Sequence, residues 1–113
     1  MAKFYLTGRV PVTLTWLAVL LPTWAAAQVI MPRRVFVRKG VRLSERLLAH
    51  ELCHVVQWER EGLAFAGRYL FSVLRHGYHN SPYEIEARQA ESEPFYRQWA
   101  CDVLIENGLL GGA

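Results

Sequence analysis

The chain has 113 residues, 52% of them hydrophobic and 20% charged, which is typical of a folded protein with one packed core and excludes a disordered chain. Its length predicts a single domain over residues 1–113. The net charge of +3, from 13 Lys and Arg against 10 Asp and Glu, is too small to indicate nucleic-acid binding, so we expect no nucleic-acid partner.

The N-terminal part of the chain is apolar, and the run from Val10 to Ala27 carries no charged residue. Its basic start and the small residues Ala25–Ala27 resemble a secretory signal with a cleavage site. Its length is also near the minimum for a membrane span. Pro11 and Pro22 would interrupt a helix near both ends, so we favour a helix that is retained in the protein and contacts the core or a membrane.

This interpretation divides the domain into an apolar N-terminal segment, residues 1–27, and a core, residues 28–107. It favours a cytoplasmic or membrane-associated protein, with secretion through an N-terminal signal as the alternative. The apolar segment is the candidate for membrane contact. The sequence predicts no particular oligomeric state.

A β-hairpin is predicted next. Gln28–Ile30 and Val35–Val37 are short β-prone runs, the turn between them contains Pro32, and Gly40 closes the second run. Basic residues surround this hairpin: Arg33, Arg34, Arg38, Lys39, Arg42 and Arg46. We interpret them as a solvated, charged edge that resists aggregation, with contacts to an acidic partner or to lipid head groups as the alternative.

An amphipathic helix is predicted over Glu45–Glu61. Ser44 suits the N-cap, Glu45 lies at the positive end of the helix dipole, and Gly62 provides a natural stop. The apolar residues that recur at helical spacing form its core-facing stripe: Leu48, Leu52, Val55 and Val56.

The same helix contains two histidines four residues apart, His50 and His54, with Glu51 directly after the first. Residues at this spacing lie about 40° apart around a helix, so both imidazoles can reach one point, while Glu51 is rotated by about 100° from His50 and flanks that point. Metal-activated hydrolysis needs two neutral imidazoles on a zinc ion and a carboxylate beside the bound water. The pattern therefore predicts a site for one zinc ion, with His50 and His54 as ligands and Glu51 as the general base. The alternative is that the two histidines are satisfied by hydrogen bonds in the core or at the surface.

Other metal chemistries fit the sequence less well. A three-histidine zinc site would need Gly and His where the chain has Gln57 and Arg60. A di-iron carboxylate site would need a second Glu-x-x-His unit, which only a symmetric dimer could supply. The two cysteines, Cys53 and Cys101, are too few for a disulfide framework. We expect both to be small buried side chains, with metal contact by Cys53 as the alternative.

Three further helices are predicted. Leu63–Arg75 is apolar enough to pack on the core, and His76–Asn80 is a loop. A carboxylate-rich helix begins at Pro82 after the cap Ser81, and Phe95–Ile105 is a last amphipathic helix.

The carboxylate-rich helix supplies the candidates for a third metal ligand, Glu84 and Glu86. They point about 200° apart, so only one of them can face the two histidines. Glu84 also fits a capping box with Ser81, an alternative that would turn its carboxylate towards the helix N-terminus.

A family resemblance rests on three features: His50-Glu51-x-x-His54, the hairpin before it, and Glu-x-Glu-Ala on a following helix. Together they resemble the gluzincin zinc metallopeptidases, whose third ligand is a glutamate. The run from Gln28 to Glu91 is similar to the small peptidase-like domains associated with extracellular contractile injection systems.

The resemblance implies a zincin-like mini-domain and a role for each matching residue. His50, His54 and Glu84 would hold zinc, and Glu51 would be the general base. The strand Val35–Val37, including Phe36, would form the cleft edge that pairs with an extended peptide. The chain departs from the larger relatives at Arg88, where they carry an Asp that orients a ligating histidine.

We therefore expect a mainly helical α+β domain acting as a zinc-dependent peptide hydrolase on a peptide or protein substrate. Tyr78, His76 or His79, in the loop before the third ligand, would stabilise the oxyanion. The first alternative is a non-catalytic, zinc-stabilised interaction module, marked by a closed fourth coordination position. The second is a membrane-surface adaptor.

Overall fold

The computed structural model describes residues 9–20 and 25–109. They form a small, mainly helical α+β domain, as the sequence predicts. In chain order the elements are β1 (Thr13–Leu17), β2 (Ala27–Met31), β3 (Arg34–Arg38), α1 (Glu45–Glu61), α2 (Ala64–His76), α3 (Pro82–Ala90) and α4 (Pro94–Glu106).

The predicted hairpin is confirmed, and its second strand is the centre of a three-stranded sheet. β2 pairs with β3 in the antiparallel sense, and β1 pairs with the other side of β3 in the parallel sense. The hairpin turn places Arg33 at a φ of 62°, a left-handed conformation that non-glycine residues seldom adopt. Two guanidinium nitrogens of Arg33 lie 2.8 and 3.1 Å from the Glu59 carboxylate, which ties the turn to α1.

The prediction of an N-terminal helix within Val10–Ala27 is wrong for the residues described. β1 lies inside this run and pairs in register with β3, from Thr13 beside Arg34 to Leu17 beside Arg38. β-Branched and aromatic side chains in β1 suit an extended strand, so tertiary pairing prevails over the apolar pattern. Residues 1–8 and 21–24 of the predicted segment lie outside the described part. No helix in the described ranges is both long and apolar enough to cross a membrane.

Helix α1 has the predicted bounds and is the central element of the domain. The Ser44 hydroxyl accepts a hydrogen bond from the Leu47 amide at 3.0 Å, and Gly62 ends the helix at a φ of 65°. α1 packs against all three other helices and against β2 and β3. Because α1 is packed on so many sides, polar side chains on this helix can be buried.

The hydrophobic core lies between the sheet, α1 and α4. The inward-facing side chains of β3, Val35 and Val37, are fully buried. They belong to one cluster with buried residues of the two helices: Leu48, Ala49, Leu52, Val55, Trp99, Ala100, Val103 and Leu104. Side chains of β1 such as Leu14 and Trp16 pack against this cluster. β1 therefore belongs to the domain and is not a detached segment.

The helices after α1 follow the sequence prediction closely. α3 starts at Pro82 with Ser81 at the N-cap. The Ser81 side chain makes no capping bond, because its hydroxyl lies 2.6 Å from the Ser72 hydroxyl of α2. This buried contact joins α2 to the start of α3, the helix that carries the carboxylates.

Candidate metal centre and adjoining cavity

The structure brings together the three residues that the sequence suggests as metal ligands. One nitrogen each from His50 and His54 and one carboxylate oxygen of Glu84 lie within 4.8 Å of one another. The His50 Nε2 atom is 3.1 Å from Glu84 Oε1, and the His54 Nε2 atom is 3.1 Å from Glu84 Oε2. All three side chains are largely buried.

This donor set fits a zinc ion. Two imidazole nitrogens and a carboxylate oxygen are common zinc ligands, and two ligands of a tetrahedral zinc ion are about 3.3 Å apart. The two nitrogen–oxygen distances of 3.1 Å are close to that separation, and each runs to a different oxygen of Glu84. The three donors come from α1 and α3, which pack against each other.

Glu84, and not Glu86, faces the histidines, so the capping-box alternative for Glu84 is wrong. Its side chain is almost fully buried and accepts a third hydrogen bond from the Tyr69 hydroxyl at 2.5 Å. Burial acts against ionisation, but the contacts with His50 and His54 hold the pKa of Glu84 well below its usual range. Glu84 is therefore a carboxylate.

Glu86 does not face the two histidines and contacts a later part of α1. Its carboxylate is 3.0 Å from a guanidinium nitrogen of Arg60 and 2.8 Å from Nε2 of Gln57. These contacts join α3 to α1 beside the candidate centre. Glu86 thus supports the packing of the two helices that carry the three donors.

Each histidine has a second hydrogen-bond partner that the sequence analysis missed. The Nδ1 atom of His50 lies 2.8 Å from Glu91 Oε2, and the Nδ1 atom of His54 lies 2.8 Å from Gln57 Oε1. Partners of this kind fix the orientation and tautomer of ligating histidines. Spacing could have identified Gln57, which is one turn after His54 in the same helix. Glu91 reaches His50 only through the packing of α3 on α1.

The carboxylate that contacts the second nitrogen of His50 does not come from the position four residues after Glu84. Arg88 occupies that place, and its guanidinium donates to the His79 carbonyl at 2.6 Å. Glu91 orients His50 and is held in turn by Arg46, whose Nε atom is 2.8 Å from Glu91 Oε1. The departure at Arg88 does not leave the site without a supporting carboxylate.

Glu51 lies next to the candidate centre and lines the same cavity. Its side chain is 5% exposed. Burial raises the pKa of Glu51 to about 7, against the opposing effect of the charges on His54 and His50. A carboxylate whose pKa lies near neutrality is suited to accept and release a proton.

The imidazoles are strongly influenced by the surrounding carboxylates. Burial acts against protonation, but the hydrogen bond with Glu84 and the charge of Glu51 raise the pKa of His50 to about 9. The pKa of His54 is raised for the same reasons, again against burial. The carboxylates around the two imidazoles therefore favour positive charge at this point.

A cavity of about 680 Å³ opens from the candidate centre towards β2 and α2. Its charged lining residues are those of the centre and its immediate support: His50, Glu51, His54, Glu84 and Glu91. The rest of its wall is mostly apolar and includes Ala25–Ala27, Val29 and Ile30 on the β2 side. The α2 side contributes Phe65, Ala66, Tyr69, Leu70 and Val73.

The predicted substrate-binding strand is in the wrong place. Val35–Val37 lies in β3, which is paired on both sides, and Val35 and Val37 are fully buried. No backbone edge of β3 is therefore open to a peptide. The sheet edge beside the cavity belongs to β2, whose first four residues line the cavity.

The predicted loop residues divide into one that reaches the cavity and two that do not. Tyr78 lines the cavity and is half exposed. Burial and the carboxylates of Glu84 and Glu51 raise the pKa of Tyr78 to about 12, so it remains a hydrogen-bond donor at neutral pH. His76 and His79 are exposed and lie outside the lining. Tyr69, predicted only as a packing residue, is the second tyrosine at the centre.

Cys53 is a small buried side chain, as expected, and the structure does not favour the alternative of metal contact. Its side chain is 1% exposed and belongs to a small buried cluster with Ala87 and Ala90. Burial raises the pKa of its thiol to about 12, so the thiolate form that binds metals is disfavoured. Cys101, expected to be buried, is partly exposed.

Comparisons of the chain with protein-family models, with curated proteins and with solved structures find no match. The resemblance to gluzincin peptidases accordingly remains a prediction from the motif. A function for this chain has to be inferred from the residues and geometry of the site.

Proposed function

We propose that this protein is a zinc-dependent peptide hydrolase. The observation that carries the proposal is the convergence of His50, His54 and Glu84 within 4.8 Å at one end of a cavity that Glu51 also lines. Two imidazoles and a carboxylate, with a second carboxylate nearby, are the groups that hydrolytic zinc sites use.

A zinc ion bound there would act as a Lewis acid, lowering the pKa of a water molecule and polarising a carbonyl group. His50 and His54 would hold it as neutral imidazoles, oriented by Glu91 and Gln57. Glu51 would accept the proton of the attacking water and later deliver it to the leaving amine.

Two features of the cavity support a peptide as the substrate. Tyr78 retains its proton and can donate a hydrogen bond to the oxygen that becomes negatively charged during attack. β2 lies at an edge of the described sheet and along the cavity wall, where an extended peptide can align its backbone.

The cavity also favours hydrolysis over a zinc-stabilised interaction module. A structural zinc site is usually closed by four protein ligands. Among the described residues three donors converge, and the space beside them is an apolar cavity large enough for a side chain. This arrangement is typical of a metal site that leaves one position for water or substrate.

The test is peptide cleavage by the zinc-loaded protein, measured on a mixed peptide library with and without a chelator. Glu51→Gln removes the base and keeps the three ligands, so zinc should remain bound while cleavage falls by roughly 10²-fold or more. Glu93→Gln, which alters an exposed carboxylate before α4, is the matched control and should keep most of the activity. No cleavage by the zinc-replete protein across the library would favour the interaction module and contradict the proposal.

A further inference from the structure

Helix α2 exposes an unusually large part of its apolar surface. Only Phe65 and Ser72 of its residues are buried. Leu70 is 59% exposed, Phe71 65% and Leu74 76%, and Leu63 just before the helix is 83% exposed. We refer to Leu63, Leu70, Phe71 and Leu74 as the α2 stripe.

The α2 stripe occupies one continuous face of the helix. At about 100° per residue, its four side chains fall within an arc of about 100°, on the side opposite Phe65 and Ser72. Gly67, which is exposed, lies in the same arc and adds no bulk. The stripe therefore points away from the core, and the other described elements leave it open.

The charges around the stripe are basic. α2 contains Arg68 and Arg75 on one flank of the stripe and no Asp or Glu. Arg68 pairs with Glu61 at 3.2 Å in an exposed contact, whereas Arg75 lies in the last turn of the helix.

We propose that the α2 stripe docks on an anionic lipid bilayer. An exposed apolar face flanked by arginines and free of carboxylates is typical of a helix that lies in the plane of a membrane interface. Anionic head groups would be attracted to Arg75 while the leucines and Phe71 enter the acyl boundary.

The proposed surface adjoins the mouth of the cavity. Leu70 belongs to the stripe and also lines the cavity, and Ile30 on the facing β2 wall is 57% exposed. Docking through the stripe would therefore place the cavity next to the lipid. This surface is separate from the candidate metal centre, so lipid binding should persist in the presence of a chelator.

The experiment is flotation of the full chain with vesicles of phosphatidylcholine alone or with added phosphatidylglycerol. We expect binding to the anionic vesicles, weakened by salt, because screening reduces attraction between exposed charges. The double variant Phe71→Ser and Leu74→Ser should lose at least about tenfold in binding, and Arg75→Gln should weaken it several-fold. Both changes affect exposed side chains, and circular dichroism would check that the fold is retained.

Two matched controls give the test its specificity. Ile105→Ser removes an apolar side chain that is 56% exposed on α4, and Lys39→Gln removes an exposed charge after β3. Both should bind vesicles like the unaltered protein. The proposal is overturned if neither vesicle binds, or if the stripe and control variants bind equally. It is also overturned if sedimentation without vesicles shows a dimer that the stripe variants dissociate.

Discussion

At the scale of single residues, the candidate centre is defined by polar contacts to both ring nitrogens of each histidine. His50 lies between Glu84 and Glu91, and His54 lies between Glu84 and Gln57. Such a framework pre-orients the donor atoms, which lowers the cost of arranging them when a cation binds. Substitutions of the proposed ligands and of the residues that orient them should therefore change zinc affinity to different extents.

Glu84→Gln should weaken zinc affinity strongly, whereas Glu86→Gln should leave it within a few-fold. The reason is that Glu84 faces both histidines, while Glu86 is engaged with Arg60 and Gln57. Competition with a chromophoric chelator would measure both affinities. The reverse ranking would move the third ligand to Glu86.

Glu91→Gln should reduce zinc affinity by about 10- to 100-fold without abolishing binding, because it removes the charged partner of His50 Nδ1 but keeps the three ligands. Glu93→Gln, an exposed change two residues further on, is the control. Equal affinities for the two variants would mean that Glu91 does not support the ligand.

Which residues of the centre the sequence predicts depends on how far apart they are along the chain. His50 and His54 are brought together by the local geometry of one helix, so their spacing alone predicts their convergence. Tyr69 and Glu91 reach the centre through the packing of α2 and α3 on α1, which no local pattern specifies. They could be found only once the helix packing was known.

At the scale of secondary-structure elements, the hairpin and all four helices were predictable, and β1 was not. α1 has a serine cap, and α3 and α4 start at prolines, features that local chemistry explains. β1 is recognisable as a strand mainly through its pairing with β3, a long-range contact. Because β1 was not predicted, β3 was expected at an open edge of the sheet. The peptide-binding edge was therefore wrongly placed at Val35–Val37.

Truncation of the chain to begin at Ala25 should lower its melting temperature by about 10 °C or more. This change keeps β2 but removes β1, which exposes one backbone edge of β3 and uncovers the core beside Leu14 and Trp16. Thermal unfolding followed by circular dichroism would measure the effect. A truncated chain as stable and soluble as the full one would show that β1 is dispensable.

At the scale of the whole molecule, the cluster of ionisable groups couples folding to pH. In the metal-free chain the pKa of His50 is raised to about 9. Protonated His50 therefore stabilises the folded state fully below the ordinary pKa of histidine, and this stabilisation is lost as pH rises through 9. The raised pKa of Glu51, about 7, acts in the same direction, because ionising a buried carboxyl costs stability as pH rises.

The chelator-treated protein should therefore unfold at a lower temperature at pH 9 than at pH 6. Zinc should raise the melting temperature more at pH 9, because fewer protons must leave the imidazoles before the ion binds. Thermal scans at both pH values, with chelator or with zinc, would measure this. Chelated protein that is equally stable at both values would contradict the electrostatic description of the site.

Metal content is the decisive measurement for the zinc site proposed at His50, His54 and Glu84. Elemental analysis of the purified, zinc-equilibrated protein should find about one zinc ion per chain. His50→Ala and His54→Ala should each lose the metal, while His76→Ala and His79→Ala, which alter exposed histidines outside the cavity, should retain it. Full zinc content in the His50 and His54 variants, or no zinc in the unaltered protein, would show that these residues do not form a zinc site.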